Sequence, residues 1–153
     1  MSVQAMDIVA EARDWVGTRW VHQASVKGVG VDCVGLALGV GIKLDLFAGI
    51  DLNAPEIQEV LAYGREPTTR QLIAGCEALA VPIEGAMQVG DIALFTFNGQ
   101  VSHLAIVGDY PHGGHSLIHA FIGSRKVSEN RFDESWTSRF ASAYRYRGIE
   151  VVA

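Results

Sequence analysis

Apolar residues recur every three or four positions at the start of the chain. Ile8, Val9, Ala12, Trp15 and Val16 fall on one side of a helical projection, which predicts an amphipathic helix over residues 3–17. Gly17 and Thr18 end it. Residues 19–31, with Gly28 and Gly30, lose the period and read as a loop. The helical pattern returns at Cys33 and runs to about Phe47, with Asp32 as N-cap. Gly35, Gly39 and Gly41 inside that helix cost helix propensity. The compensation expected is close approach of a neighbouring layer, with Gly35 and Gly39 on one face. Weaker helical patterns follow around Glu56–Ala62 and Thr69–Ala80, separated by Gly64 and Pro67.

From Gly90 the period drops to two. DIALFTF and VSHLAIVG flank Asn98-Gly99, a dipeptide suited to the positive φ angles of a tight hairpin turn. After the loop YPHGGH come a third strand, SLIHAFI, and a fourth, KVSENRF. The run ESWTSR is too short to assign, and ASAYRYRGIEVV is expected to close as the last strand. Helices first and an antiparallel sheet second make an α+β fold. The length suits one domain over residues 1–153.

Hydrophobic residues at 49% and charged residues at 19% describe a globular chain with a substantial core. A net charge of −5 argues against a nucleic-acid partner, which needs clustered Lys and Arg for phosphate contacts. A partly acidic polymer would need local basic residues, for which Arg125, Lys126 and Arg131 are the nearest candidates. The opening MSVQAMDIVAEARDWVG has no basic leader, and Asp7, Glu11 and Asp14 interrupt any apolar run. It reads as neither a signal peptide nor a membrane span. The expectation is synthesis in the cytoplasm, with a separate carrier if the protein acts outside.

Of the two cysteines, Cys76 lies in QLIAGCEAL among Leu72, Ile73 and Leu79 and reads as a small buried hydrophobe. A Cys33–Cys76 disulfide stays open, although two cysteines do not make a disulfide framework. Cys33 differs. It follows Asp32 in VDCVGL and falls in the first turn of a helix, where unpaired N–H groups and the helix dipole favour thiolate over thiol. Asp32 would oppose a thiolate if it pointed at the sulfur. As an N-cap it bonds the helix N–H groups instead, which leaves it a structural or substrate-binding role.

On the strand Val101–Asp109, His103 shares a face with Ala105 and Val107, while Leu104 and Ile106 face the other way. The space beside Ala105 is expected to admit a helix terminus. His119, in the next strand, lies on a face with Leu117 and Phe121, so on neighbouring strands the two imidazoles can meet. Cysteine hydrolysis needs a nucleophile, an imidazole base and a group that orients it. Cys33, His103 and His119 can supply these in chain order. His112 and His115 read as a solvated turn. On one extended strand His115 and His119 would be roughly 13 Å apart at about 3.3 Å per residue, too far for one ion, so neither a metal nor a cofactor is called for.

Taken in order, GVDCVGLALGV, GDIALF, HLAIVGD and LIHAF resemble the NlpC family of bacterial cell-wall cysteine peptidases, over nearly the whole chain. The resemblance implies a papain-like fold, with Cys33 as nucleophile, His103 as general base and His119 as the third, orienting residue. It also implies cleavage of an amide bond in the peptidoglycan (murein) stem peptide, typically between γ-D-glutamate and the diamino acid that follows. WVHQASVKGVGVDCVGL, YGREPT and FASAYRYRGI look most like the branch encoded with phage-tail and gene-transfer-agent genes. That branch implies phage-tail or particle proteins as partners and the cell wall or periplasm as the place of action.

Family members commonly have Ser after the cysteine, where this chain has Val34, and often Tyr in the loop ahead of it, where Trp20 stands. Both differences bear on substrate preference. In circularly permuted relatives the histidine precedes the cysteine. Here the strand HLAIVGD follows it, and His22 is assigned to the substrate cleft with Trp20 and Asp32. Two other settings fit the same residues: an amidase effector injected by a contractile secretion system, and a structural tail component whose peptidase site is vestigial.

Overall fold

The computed structural model describes residues 2–149, so residues 150–152 of the expected last strand lie outside the described residues. Helix α1 (Ala5–Arg13) is followed by a small antiparallel hairpin, β1 (Ser25–Val26) and β2 (Gly30–Val31), and then by α2 (Cys33–Lys43), α3 (Pro55–Leu61) and α4 (Thr69–Leu79). The rest is β3 (Ala80–Pro82), β4 (Ile92–Phe97), β5 (Gln100–Asp109), β6 (His115–Phe121), β7 (Lys126–Arg131), the single turn α5 (Glu134–Thr137) and β8 (Phe140–Tyr146). Strands β3 to β8 form one six-stranded antiparallel sheet in the order β3-β8-β4-β5-β6-β7. The α+β architecture expected from the sequence is the one observed.

Strand alternation divides the core. Leu94, Leu104, Ile106 and Ile118 face the helices and pack with Ile8 and Val9 of α1, Leu36 and Val40 of α2, and Leu72 of α4. Ala93, Phe95, Ala105, Val107 and Leu117 face the other way, where Met87, Phe97, Phe132 and Trp136 cover them. An apolar cavity lies between the helices and the sheet, bordered by Val34, Leu38, Leu72, Cys76, Leu104 and Tyr146. Cys76 is buried there, as its helical pattern implies.

The close approach expected at the glycines of α2 is present. A Cβ on Gly35 would collide with the carbonyl oxygen of Ala24, and one on Gly39 with the indole of Trp15. The loop ahead of α2 therefore lies directly on its first turn. The helix stops at Lys43, short of Phe47, because Asp45 takes a left-handed conformation (φ +56°) and the Leu46 N–H donates to the Gly41 carbonyl at 2.8 Å. Helix α1 likewise ends at Arg13, and turns carry the chain to Gly17 at φ +94°. Strands β1, β2 and β3 were outside the sequence expectation, since two or three residues are too few to show a period.

Both sheet edges are covered or short. β3 has three residues and ends in Pro82. Along the outer side of β7, the Gly17 N–H donates to the Val127 carbonyl at 2.9 Å, the Val127 N–H to Thr18 at 2.8 Å, and the Trp20 N–H to Arg125 at 2.9 Å.

Candidate active site

Cys33 owes its position to Asp32. The N-cap carboxylate accepts the Gly35 N–H at 2.8 Å through Oδ1. Its Oδ2 accepts the Gln23 N–H at 2.7 Å and the Tyr63 hydroxyl at 2.5 Å. Gln23 closes the network by donating its side-chain amide to the Tyr63 carbonyl at 2.6 Å. Three segments thus converge on one carboxylate, which caps the helix as the Asp-before-helix rule anticipates. Both oxygens are taken by protein donors, so in this structure Asp32 fixes the turn that presents the sulfur.

The sheet opens at the same point. The β5–β6 ladder runs from Asp109↔His115 to Ile106↔Ile118 and does not continue toward His103 and Phe121. Cys33 meets the sheet here, where the backbone amides of Leu104, Val34 and Cys33 itself favour its ionised sulfur. The resulting cleft is lined by Trp20, Asp32, Cys33, Arg65, Ser102 and His103 among others.

Behind His103 the polar groups are aligned. His103 Nε2 and His119 Nδ1 share a hydrogen bond at 2.8 Å, and His119 Nε2 lies 2.6 Å from Oδ1 of Asn130. The two imidazoles sit among aromatic rings. Trp136 stands 4.9 Å from His119 and 5.7 Å from His103 between centroids, and Phe121 lies parallel to His119 at 5.7 Å. Both histidines are buried. The face carrying Ala105 was expected to receive a helix terminus. An aromatic cluster fills it instead, and Cys33 comes in from the helix side through the open ladder.

Burial also decides the charge states. It pushes the Cys33 thiol up to about 12, helped by the Asp32 carboxylate and opposed by the three N–H groups. The helix N-terminus was expected to favour thiolate. Desolvation and the adjacent carboxylate outweigh it. Burial, then the neighbouring His119, holds His103 well below the ordinary imidazole value, and burial lowers His119 too. Both shifts bias the two cleft groups toward their uncharged forms, a thiol at Cys33 and a neutral imidazole at His103. Alkylation of Cys33 by iodoacetamide is expected to accelerate by about tenfold per pH unit between roughly pH 6 and 9, with no levelling, because the thiolate is the reactive species. A plateau below about pH 7 would show instead that a thiolate–imidazolium pair already exists at rest.

Of the residues singled out from the sequence, Cys33, His103, Trp20 and Asp32 border one cleft, and His119 lies directly behind His103. His22 is exposed and does not border it; its ring meets the edge of Tyr63 at 5.6 Å. The basic residue in the cleft is Arg65, whereas Arg131 lies over the ring of Tyr110 at 4.4 Å. Tyr63, Asn130 and Trp136 were missed. Asn130 could have been found as a polar residue on the strand after LIHAF, two positions from Ser128, which pairs with His119.

Fold and site define a class: an α+β, papain-like domain with a helix-N-terminal cysteine and a strand histidine bordering one cleft. No protein-family model matches the chain, and no curated protein matches it. Solved structures do. An NlpC/P60 family protein from Bacillus cereus matches 95% of this chain with a TM-score of 0.63 at 21% identity, over 41% of its own length. A protein similar to lipoprotein, of the NLP/P60 family, from Staphylococcus aureus matches 95% with a TM-score of 0.57 at 21% identity, over 43% of its length. The NlpC/p60 domain of the peptidoglycan hydrolase SagA matches 93% with a TM-score of 0.56 at 25% identity, over 98% of that domain. The chain spans less than half of the first two structures and nearly all of the third. The chain has the fold of NlpC/P60 proteins.

Proposed function

We propose that the protein is a cell-wall hydrolase of the NlpC type, a cysteine peptidase with Cys33 as nucleophile, His103 as general base and His119 as orienting residue. The observation that carries the reading is the alignment of His103 and His119 at 2.8 Å in a cleft shared with Cys33. His103 takes the thiol proton as the sulfur attacks the scissile carbonyl, and the thiolate so formed meets the N–H groups of Leu104, Val34 and Cys33. His103 then returns the proton to the leaving amine, and water hydrolyses the thioester. The named function of SagA as a peptidoglycan hydrolase supports murein as the substrate.

The bond proposed is the γ-D-glutamyl–diamino acid amide of the stem peptide, on the strength of the motifs GVDCVGLALGV, HLAIVGD and LIHAF. The segments around YGREPT and FASAYRYRGI support delivery on a phage tail or gene-transfer particle to the cell wall. Among the described residues no helix is long and apolar enough to cross a membrane.

Digestion of purified murein, with mass spectrometry of the soluble fragments, tests the reading. New amino termini on the diamino acid are the expected product. Release of sugar fragments with intact stems, or of nothing from murein and synthetic stem peptides alike, would sink it.

A further inference from the structure

We propose that Asn130 is a positioning residue that fixes the tautomers of both histidines, so that His103 keeps Nδ1 unprotonated toward the Cys33 cleft. The side-chain N–H of Asn130 donates to the Arg131 carbonyl at 3.2 Å, which turns Oδ1 toward His119. A carbonyl oxygen only accepts, so His119 must donate from Nε2. A neutral imidazole carries one proton, and His119 Nδ1 is then a lone pair. His103 must accordingly donate from Nε2 across the 2.8 Å contact. The nitrogen left uncommitted on His103 is Nδ1, the form a general base needs. Without Asn130, either tautomer of His119 is tolerated, and with it either tautomer of His103.

An amide suits this task better than a carboxylate. A carboxylate at position 130 would favour the imidazolium of His119, which has no lone pair. His103 would then have to accept at Nε2, carry its own proton on Nδ1 and lose its basic nitrogen. The charged side chains around the pair have other partners. Glu129 bonds Arg13 and Ser116, Arg131 lies over Tyr110, Arg139 lies over Phe97, and Asp133 caps the N–H of Trp136. Burial disfavours the charged form of both rings, and at His119 the bond to Asn130 works the other way. The polar groups that address His119 are His103 and the Asn130 amide.

The kinetic half of the proposal rests on the hydrolase reading, whereas the tautomers can be measured without substrate. Nitrogen-15 NMR of the histidine side chains, in the parent, Asn130→Leu and Asn130→Asp, reads them directly. The parent is expected to show both buried histidines protonated on Nε2. N130L is expected to lose that uniform state and about 10- to 100-fold in kcat with KM little changed, the scale known for partners that orient metal-bound histidines. N130D, nearly isosteric, is expected to move the acid limb of the kcat profile to higher pH and to recover activity in alkali. An effect through packing alone would leave the limb in place.

Parent spectra with His119 protonated on Nδ1 overturn the proposal. So does an N130L protein with unchanged tautomers and parental kcat. A parent inactive on murein whose tautomers follow Asn130 removes the hydrolase reading alone and supports the assignment.

Discussion

Replacing Cys33 with Ala is expected to reduce stem-peptide hydrolysis by more than about a thousandfold while the protein still folds. The chemistry is lost outright, because Cys33 is the only thiol among the described cleft residues. The fold survives because the substitution removes one atom at a helix end whose geometry belongs to Asp32, Gln23 and Tyr63. Cys76→Ala is the control. Cys76 borders the apolar cavity beneath α2 and is expected to keep most of the activity. Release of stem fragments, measured alongside thermal unfolding, distinguishes the two. Parental rates from both variants would leave Cys33 as a buried structural thiol.

His103→Ala is expected to lower kcat by about 10²–10⁴-fold, the usual worth of a positioned general base. His119→Ala should cost less, since His119 orients and polarises His103 and transfers no proton to substrate. The comparison is fair because both side chains are buried in the same aromatic surroundings, so loss of packing is similar in each. Steady-state kinetics on a stem peptide, with unfolding temperatures for both variants, read the difference. Equal losses would mean that the pair acts as one base, and a larger loss at His119 would exchange their roles.

The parts of the site legible in the sequence are those fixed by local rules. An aspartate before a helical run is a cap, and strand alternation puts His103 with Ala105 and His119 with Leu117. Neighbouring strands then bring the two rings together. What escaped depends on contacts across the chain. Tyr63 reaches Asp32 from 31 positions away, at the end of a weak helical pattern. Trp136 sits in a four-residue helix with no period to read. Asn130 belongs to a strand so polar that no face stands out. The side from which Cys33 enters was misjudged because it depends on the β5–β6 ladder stopping at Ile106, which alternation does not encode. The effect that opposes the helix terminus at Cys33 escaped for a different reason: the terminus is visible in sequence, but desolvation at 7% exposure is not.

The segment that covers the outer side of β7 is also the one that carries Trp20 into the cleft. Peeling it back would take away a wall of the substrate site and at once bare the backbone of an edge strand to pairing with other chains. Integrity of the cleft and resistance to aggregation are therefore one property of this molecule. In hydrogen exchange the amides of Gly17, Trp20 and Val127 should open together as a single unit.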